Sequence, residues 1–418
     1  METNQFDRRE FLKSFSMLAG ASVLAANPWM QSLNAQDTGN RQKVKLAVIG
    51  VGSRGKLLTQ ILLTIPDVDI VAYCDNYPKH LEEAGNMIGP DARGFSDYKE
   101  LLEMDEIQGV VIAAPLNEHA RLSIDAMNKG KHVFCEKAMA ITNEECLAMM
   151  QVHRETGQIL QIGHQRLFSV RYLKGMEMIR EGKLGKITQI RAYWHRNGDW
   201  RRPVPSPGLE RKINWRMYRE YSRGLMTELG THQIQVANWV LGEIPVEVIG
   251  SGSINYWKDG REVFDNVNLI YTYPSGTHLI YDSCISNKKY GCEEQVMGPL
   301  GTLEMETARL FSENPPPAPG ILQLINQIEK NIFDTVPIGG PSWVPEDPSE
   351  DKGKYITKAL ESDGTDLQME AFANAVRENK IIPGNAEHGY YAGVATLLGD
   401  QAMMERRVVQ WPEELMLS

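Results

Sequence analysis

Three groups of residues in this 418-residue chain could do chemistry. The first is Gly50-x-Gly52-x-x-Gly55, which encloses Ser53 and Arg54 and is followed by Asp75, 20 residues after the last glycine. Glycines at this spacing let a turn close tightly, let backbone approach a pyrophosphate and let a helix pack on a strand. The helix that follows offers free N–H groups to phosphate. An acidic residue about 20 residues on hydrogen-bonds a ribose 2′-hydroxyl. Its charge repels a 2′-phosphate, so NAD is favoured over NADP. The second group is Glu136 and Lys137. Burial there could lower the lysine pKa and set its ammonium on a substrate oxygen. A surface lysine paired with Glu136 fits the position equally well. The third is Glu228 and His232, four residues apart and so on one face of a helix. Histidine suits removal of a hydroxyl proton near neutral pH, and a carboxylate could orient it or contact the substrate. For a lone histidine, an incidental core position is the more common outcome.

These residues need strands and helices to hold them. VKLAVI (44–49) is a short apolar run that suits a buried parallel strand, and it leads directly into the glycine turn and the helix-like KLLTQILLTI. VDIVAYCD (68–75), GVVIAAP (109–115), HVFCEK (132–137) and QILQIG (158–163) read as further strands, separated by helical stretches, one of them led by Thr142 or Asn143. This alternation predicts an α/β dinucleotide-binding Rossmann domain over 42–164, a doubly wound parallel sheet. Ligands bind beyond the carboxyl ends of such strands, where Pro115, Glu136 and Lys137 fall. In the remainder, 165–418, strands are expected at 185–197, 245–256, 265–274, 277–285, 290–297 and 301–306, and helices near 364–379 and 386–405 that return to flank the first domain. The Pro/Gly-rich stretches 314–320 and 337–348 read as excursions over a neighbouring cleft or interface.

Residues 1–35 read as an export signal: Arg8 and Arg9, then a mild apolar run from Phe15 to Ala26 that is too short to span a bilayer. The pair resembles the twin-arginine type, with cleavage after Ala35 or Ala26 and a periplasmic or otherwise exported product. That route carries folded proteins, which implies a cofactor inserted before export. The net charge of −10 argues against nucleic-acid binding. Five cysteines with no C-x-x-C pair indicate neither a zinc site nor a disulfide framework. No internal repeat or transmembrane helix is evident.

His164, Gln165 and Arg166 follow a strand end and are expected to face the cleft. The stretches YWHRNGDWRR (193–202) and INWRMYRE (213–220), with Trp200, Trp215 and Arg216, have a composition suited to sugar binding. Each tryptophan is as readily a loop anchor or an oligomer contact.

Taken together, AVIGVGSRG, AYCD, VVIAAPLNEHA, KHVFCEKAMA, QIGHQRLFSVRY, NWRMYREYSRGLMTELGTHQ and VMGPLGTLEM resemble the Gfo/Idh/MocA oxidoreductases. The resemblance implies a C-terminal α+β domain with a large, open, mostly antiparallel sheet, homo-oligomers, and NAD(P)-dependent chemistry on a sugar or cyclitol hydroxyl. It implies that Lys137 touches the reacting oxygen, that His232 accepts the proton, and that Pro115, His119 and Glu136 join the glycine turn around the cofactor. Three positions depart from the family pattern: Ala138 replaces the proline of E-K-P, Glu228 replaces an aspartate, and Gln235 replaces a second aspartate. With export, the resemblance implies a sugar or glycoside oxidoreductase whose NAD stays bound, glycoside 3-oxidation being the specific expectation. Its alternatives are a glycosidase that oxidises the sugar transiently and a non-catalytic nucleotide- or sugar-binding protein.

Overall fold

The computed structural model describes residues 43–313, 352–358 and 362–417. The expected export signal and the stretches 314–320 and 337–348 lie outside these residues.

The first sheet is built from β1 (Val44–Ile49), β2 (Val68–Cys74), β3 (Arg93–Phe95), β4 (Gly109–Ile112), β5 (His132–Cys135) and β6 (Leu160–Ile162). All neighbours are parallel, in the order β3-β2-β1-β4-β5-β6, the doubly wound arrangement of dinucleotide-binding domains. β4 is buried at every position and β5 at all but its first, as strands covered on both faces must be. The helix Asn143–Thr156 is capped by Thr142, whose side chain accepts a hydrogen bond from Glu145 N, and it ends at Gly157 with φ +66°.

The second sheet holds β7 (Gln189–His195), β8 (Glu247–Ser253), β9 (Asn266–Thr272), β10 (His278–Cys284), β11 (Cys292–Gly298), β12 (Gly301–Glu304), β13 (Arg309–Ser312), β14 (Lys354–Tyr355) and β15 (Val409–Gln410). Its order is β14-β13-β12-β11-β7-β10-β9-β8-β15, antiparallel except for β7 beside β10. The six expected strands are all present. β13, β14 and β15 are additions, the last two being two-residue edges too short to show a pattern. Burial alternates along β9, with Val267, Leu269 and Tyr271 inward and Asn268 and Ile270 outward. The inner face is covered by helices Thr231–Leu241 and Asn385–Glu405. The outer face leaves Ile249 and Ile270 exposed, directly paired across β8 and β9.

The chain's last helices tie the two sheets together. On Thr365–Glu378, Phe372 packs on Phe134 of β5 with ring centroids 5.9 Å apart, and Gln368 O accepts from Gln161 Nε2 at 3.1 Å. Asn385 Oδ1 accepts from Ile162 N at 2.7 Å. No helix among the described residues is long and apolar enough to cross a membrane.

Candidate active site

A cleft of about 1500 Å³ lies between the carboxyl ends of the first sheet and the second domain. Ordinary small-ligand pockets hold about 300–1,000 Å³, so there is room here for a dinucleotide and a sugar together.

The glycine turn forms one wall. Gly50 has φ +85°, and a Cβ there would stand 2.7 Å from Ala114 N. A Cβ on Gly55 would stand 1.9 Å from Gly50 O, so helix Ser53–Thr64 and β1 meet backbone to backbone. Gly52 differs: a Cβ there would meet only the His80 ring, at 3.4 Å. That side of the turn is open to a ligand, not filled by the protein. The helix starts with no side-chain cap and no acidic residue in its first turn, so its N–H groups remain available to an anion. At the end of β2, Asp75 Oδ2 accepts from Val51 N at 3.0 Å and approaches His80 Nδ1 at 3.3 Å, while Oδ1 accepts from Tyr77 N at 2.8 Å. A carboxylate offers about four lone-pair sites, which leaves one for a ribose hydroxyl. The residues present therefore fit NAD.

β4 and β5 supply the next wall. Arg54 Nε donates to Glu136 Oε1 at 2.6 Å. Pro115 lines the cleft, and His119 lies between the carbonyls of Ala114 (3.1 Å) and Ala138 (2.9 Å), holding the two strand ends together. The Lys137–Ala138 peptide is cis. Lys137 is half-buried and donates through Nζ to Glu228 O at 2.8 Å. Burial lowers its pKa despite the opposing charges of Glu228 and Glu136.

Glu228 sits in a single π-helical turn, Met226–Gly230, that runs into the helix Thr231–Leu241 carrying His232. The carboxylate does not orient His232, one of the roles open to it in the sequence. Arg216 Nε donates to Oε2 at 2.7 Å and Ser222 Oγ to Oε1 at 3.0 Å. Burial alone would raise the Glu228 pKa, but Arg216 and Lys137 outweigh it and hold it below the usual value. His232 is cornered between the rings of His164 (6.0 Å) and Trp194 (5.5 Å) and lines the cleft. Burial, then the charges of Lys137 and Arg166, drive its pKa far below the ordinary value. It is thus a neutral imidazole with lone-pair capacity.

The expected substrate residues divide. Gln165, Trp200, Trp215 and Arg216 line the cleft. Trp215 also packs against Leu116, Ala138 and Ile141, and the Arg216 guanidinium lies 4.1 Å over its ring, so it is both anchor and lining. His164 and Arg166 do not line it. His164 is buried with Nε2 at 3.1 Å from Thr231 Oγ1, supporting the start of the His232 helix, and burial pushes its pKa down to about 3. Arg166 is claimed by Glu294 at 3.0 Å, Glu306 at 3.5 Å and Cys292 Sγ at 3.1 Å, deep beneath the second sheet. Arg202, the last residue of the 193–202 stretch but not singled out within it, lines the cleft, and so does Lys212, which was not expected there. Arg202 Nη1 donates to Ser53 Oγ at 2.9 Å across 149 residues of sequence, a pairing that no local spacing announces. No cluster of histidine, cysteine, aspartate and glutamate among the described residues could hold a metal ion.

This combination of fold and cleft defines a dinucleotide-binding protein with a neutral histidine beside the nucleotide groove. Residues 44–164 match the oxidoreductase family described by its NAD-binding Rossmann fold, and residues 172–304 match the GFO/IDH/MocA C-terminal domain. The chain belongs to the Gfo/Idh/MocA oxidoreductase family. It is 31% identical over 201 residues to a protein named glycosyl hydrolase family 109 protein from Stenotrophomonas maltophilia, an alignment spanning 45% of this chain and 42% of that protein. It is 27% identical over 202 residues to an inositol 2-dehydrogenase of Salmonella typhimurium, spanning 48% of this chain and 55% of that protein. The chain thus spans about half the length of these curated relatives. Among solved structures, the aldose-aldose oxidoreductase of Caulobacter crescentus complexed with glycerol shares the fold, with a TM-score of 0.67, 20% identity and coverage of 88% of this chain and 100% of that one.

Proposed function

We propose that this chain oxidises a secondary hydroxyl of a sugar, polyol or glycoside with NAD that stays bound, and that it does so as an exported homo-oligomer. The observation that carries this reading is the convergence of neutral His232 and half-buried Lys137 on one dinucleotide-sized cleft. NAD, when bound, supplies the acceptor for the hydride leaving the carbon. Lys137 gives one N–H to Glu228 O, which leaves two for the hydroxyl oxygen, where positive charge favours the developing alkoxide. His232 accepts the hydroxyl proton. Glu228 stays ionised and holds Arg216 at the cleft, where arginine and the tryptophan faces suit a polyhydroxyl ring. The names of the inositol dehydrogenase relatives support such a substrate. Glycoside 3-oxidation is the specific form we favour.

Export rests on the Arg8-Arg9 segment. Outside the cytoplasm there is no free pool of NAD, so the cofactor must be restored in place by a second substrate or by returning the hydride. The exposed Ile249–Ile270 pair on the open sheet supports a second copy of the chain there. The 31% identical relative named as a glycosyl hydrolase favours a second reading, in which the oxidation is transient and the net outcome is glycoside hydrolysis.

The test is to mix the purified protein, with NAD added only if none is bound, with inositols and nitrophenyl glycosides while recording the near-UV and visible spectrum. A rise at 340 nm without nitrophenol release is the expected result. Repeated nitrophenol release with no lasting 340 nm signal would establish the second reading instead. Undiminished turnover in both His232→Asn and Lys137→Met would overturn the mechanism.

A further inference from the structure

We propose that residues 200–214 form a strap from the second domain across the dinucleotide groove, with Arg202 clamping the pyrophosphate and Lys212 latching the adenosine end. The inference rests on the NAD reading above and adds to it the residues that slow the cofactor's exit.

The strap is braced before it reaches the groove. Asn214, only 2% exposed, donates to Arg202 O at 3.0 Å and to Glu210 Oε2 at 3.0 Å, and its Oδ1 accepts from Arg202 N at 2.7 Å. Arg201 pairs with Glu210 and reaches Asp259 O at 3.0 Å, and Tyr218 OH donates to Glu210 Oε1 at 2.9 Å. Two cations then reach across to the first domain. Arg202 Nη1 meets Ser53 Oγ at 2.9 Å, on the first residue of the helix that faces the phosphate position. Lys212 Nζ meets Asn76 O at 2.8 Å, one residue past Asp75, and lies 5.7 Å from the centre of the Tyr77 ring. The two landing points mark the pyrophosphate and ribose ends of the groove, so a dinucleotide seated there lies under the strap.

Charge points the same way. Among the described residues Arg202 has no carboxylate partner, and burial and neighbouring Arg216 both work against its charge. It faces the positive end of a helix dipole. Two positive fields that converge on one point favour an anion between them. The open side of Gly52 is where a pyrophosphate would approach.

The test is retention of NAD by the full-length protein. NAD would be quantified after denaturation, and its release rate followed on dilution into a trap, at low and high salt. Wild type should hold NAD through purification. Arg202→Gln should release it at least about tenfold faster with a weaker salt dependence, Arg202→Lys should fall between, and Lys212→Gln should give about a threefold effect. Wild-type release rates in the Arg202→Gln/Lys212→Gln double variant would overturn the clamp and leave the NAD reading intact. Wild type that binds added NAD but exchanges it within seconds would overturn the clamp and the retention of the cofactor proposed above, leaving only NAD as the cofactor. Wild type that binds no NAD at any concentration would bring down the NAD reading and the strap with it. Unchanged thermal midpoints in the variants tie the effect to the groove, and Arg202→Lys carries the test if Arg202→Gln fails to fold.

Discussion

Two clusters of charge flank the helix Thr231–Leu241, and adjacent residues of that helix face one each. His232 belongs to the cleft cluster with Lys137, Glu228 and Arg216. Gln233 touches the other, approaching Cys292 Sγ at 3.4 Å. There Arg166 meets Glu294 and Glu306, and the Tyr172 hydroxyl lies between the same two carboxylates, 2.7 Å from Glu294 and 2.6 Å from Glu306. The residue types are alike, but what they leave unused is not. The sealed cluster spends its charges internally, as a buried ionic network must to survive desolvation. The cleft cluster keeps two Lys137 N–H groups and the His232 lone pair in reserve. Charges paired with one another away from the cleft suit a structural role, whereas spare donors and acceptors beside a cavity suit a substrate.

The contrast can be broken most directly at His232. His232→Asn should lower the oxidation rate by about 10²–10⁴-fold, with NAD content and fold retained, as read by single-turnover absorbance at 340 nm. Arg166→Met should do the reverse. It strands Glu294 and should cost about 3–5 kcal/mol in denaturant titrations. Arg216→Met, at a partly exposed pair, should cost only about 1 kcal/mol and raise KM instead. Equal stability losses at Arg166 and Arg216 would erase the distinction between the clusters.

Acid offers a graded probe. His164 and His388 have pKa values pushed down to about 3, and His232 is also far below its ordinary value, in each case chiefly through burial. The unfolded chain takes up these protons near pH 6.5 and the folded chain does not. Their contribution to stability is therefore complete above pH 6.5 and is lost as pH falls from there towards about 3. Each histidine should cost about 1.4 kcal/mol per pH unit in that window, seen as a falling thermal midpoint between pH 6.5 and 4.5. His232 remains a competent base over the same range, so the initial rate of still-folded protein should be flat where stability declines. The smallest effect belongs to the nucleotide wall: Asp75→Ser should shift the NAD-to-NADP affinity ratio by about tenfold towards NADP, measured by titration of the two cofactors.

The glycine turn was readable because its parts lie within 26 residues and depend on backbone alone. Gly50 needs its positive φ, Gly55 a backbone contact, and Asp75 the end of the next strand. The alternating second sheet was readable for a related reason, since period-two burial is a local property of a strand. Its two-residue edges were not, because two residues carry no period. Arg166 was misplaced because its position after β6 says only where its backbone lies. Glu294 and Glu306, more than 120 residues away in sequence, decide where its guanidinium goes.

The sequence by itself determined the doubly wound sheet, the nucleotide turn and the residues from which an acid–base site could be drawn. Those follow from hydrophobic period and short-range spacing, which the chain carries wherever it folds. Only the tertiary structure decided how the charges pair: Glu228 with Arg216 and not His232, Lys137 with a carbonyl 91 residues away, and Arg202 with Ser53 across the cleft. A buried charge takes whichever partner packing brings within about 3 Å, and that choice is made by the whole fold, not by any stretch of the chain.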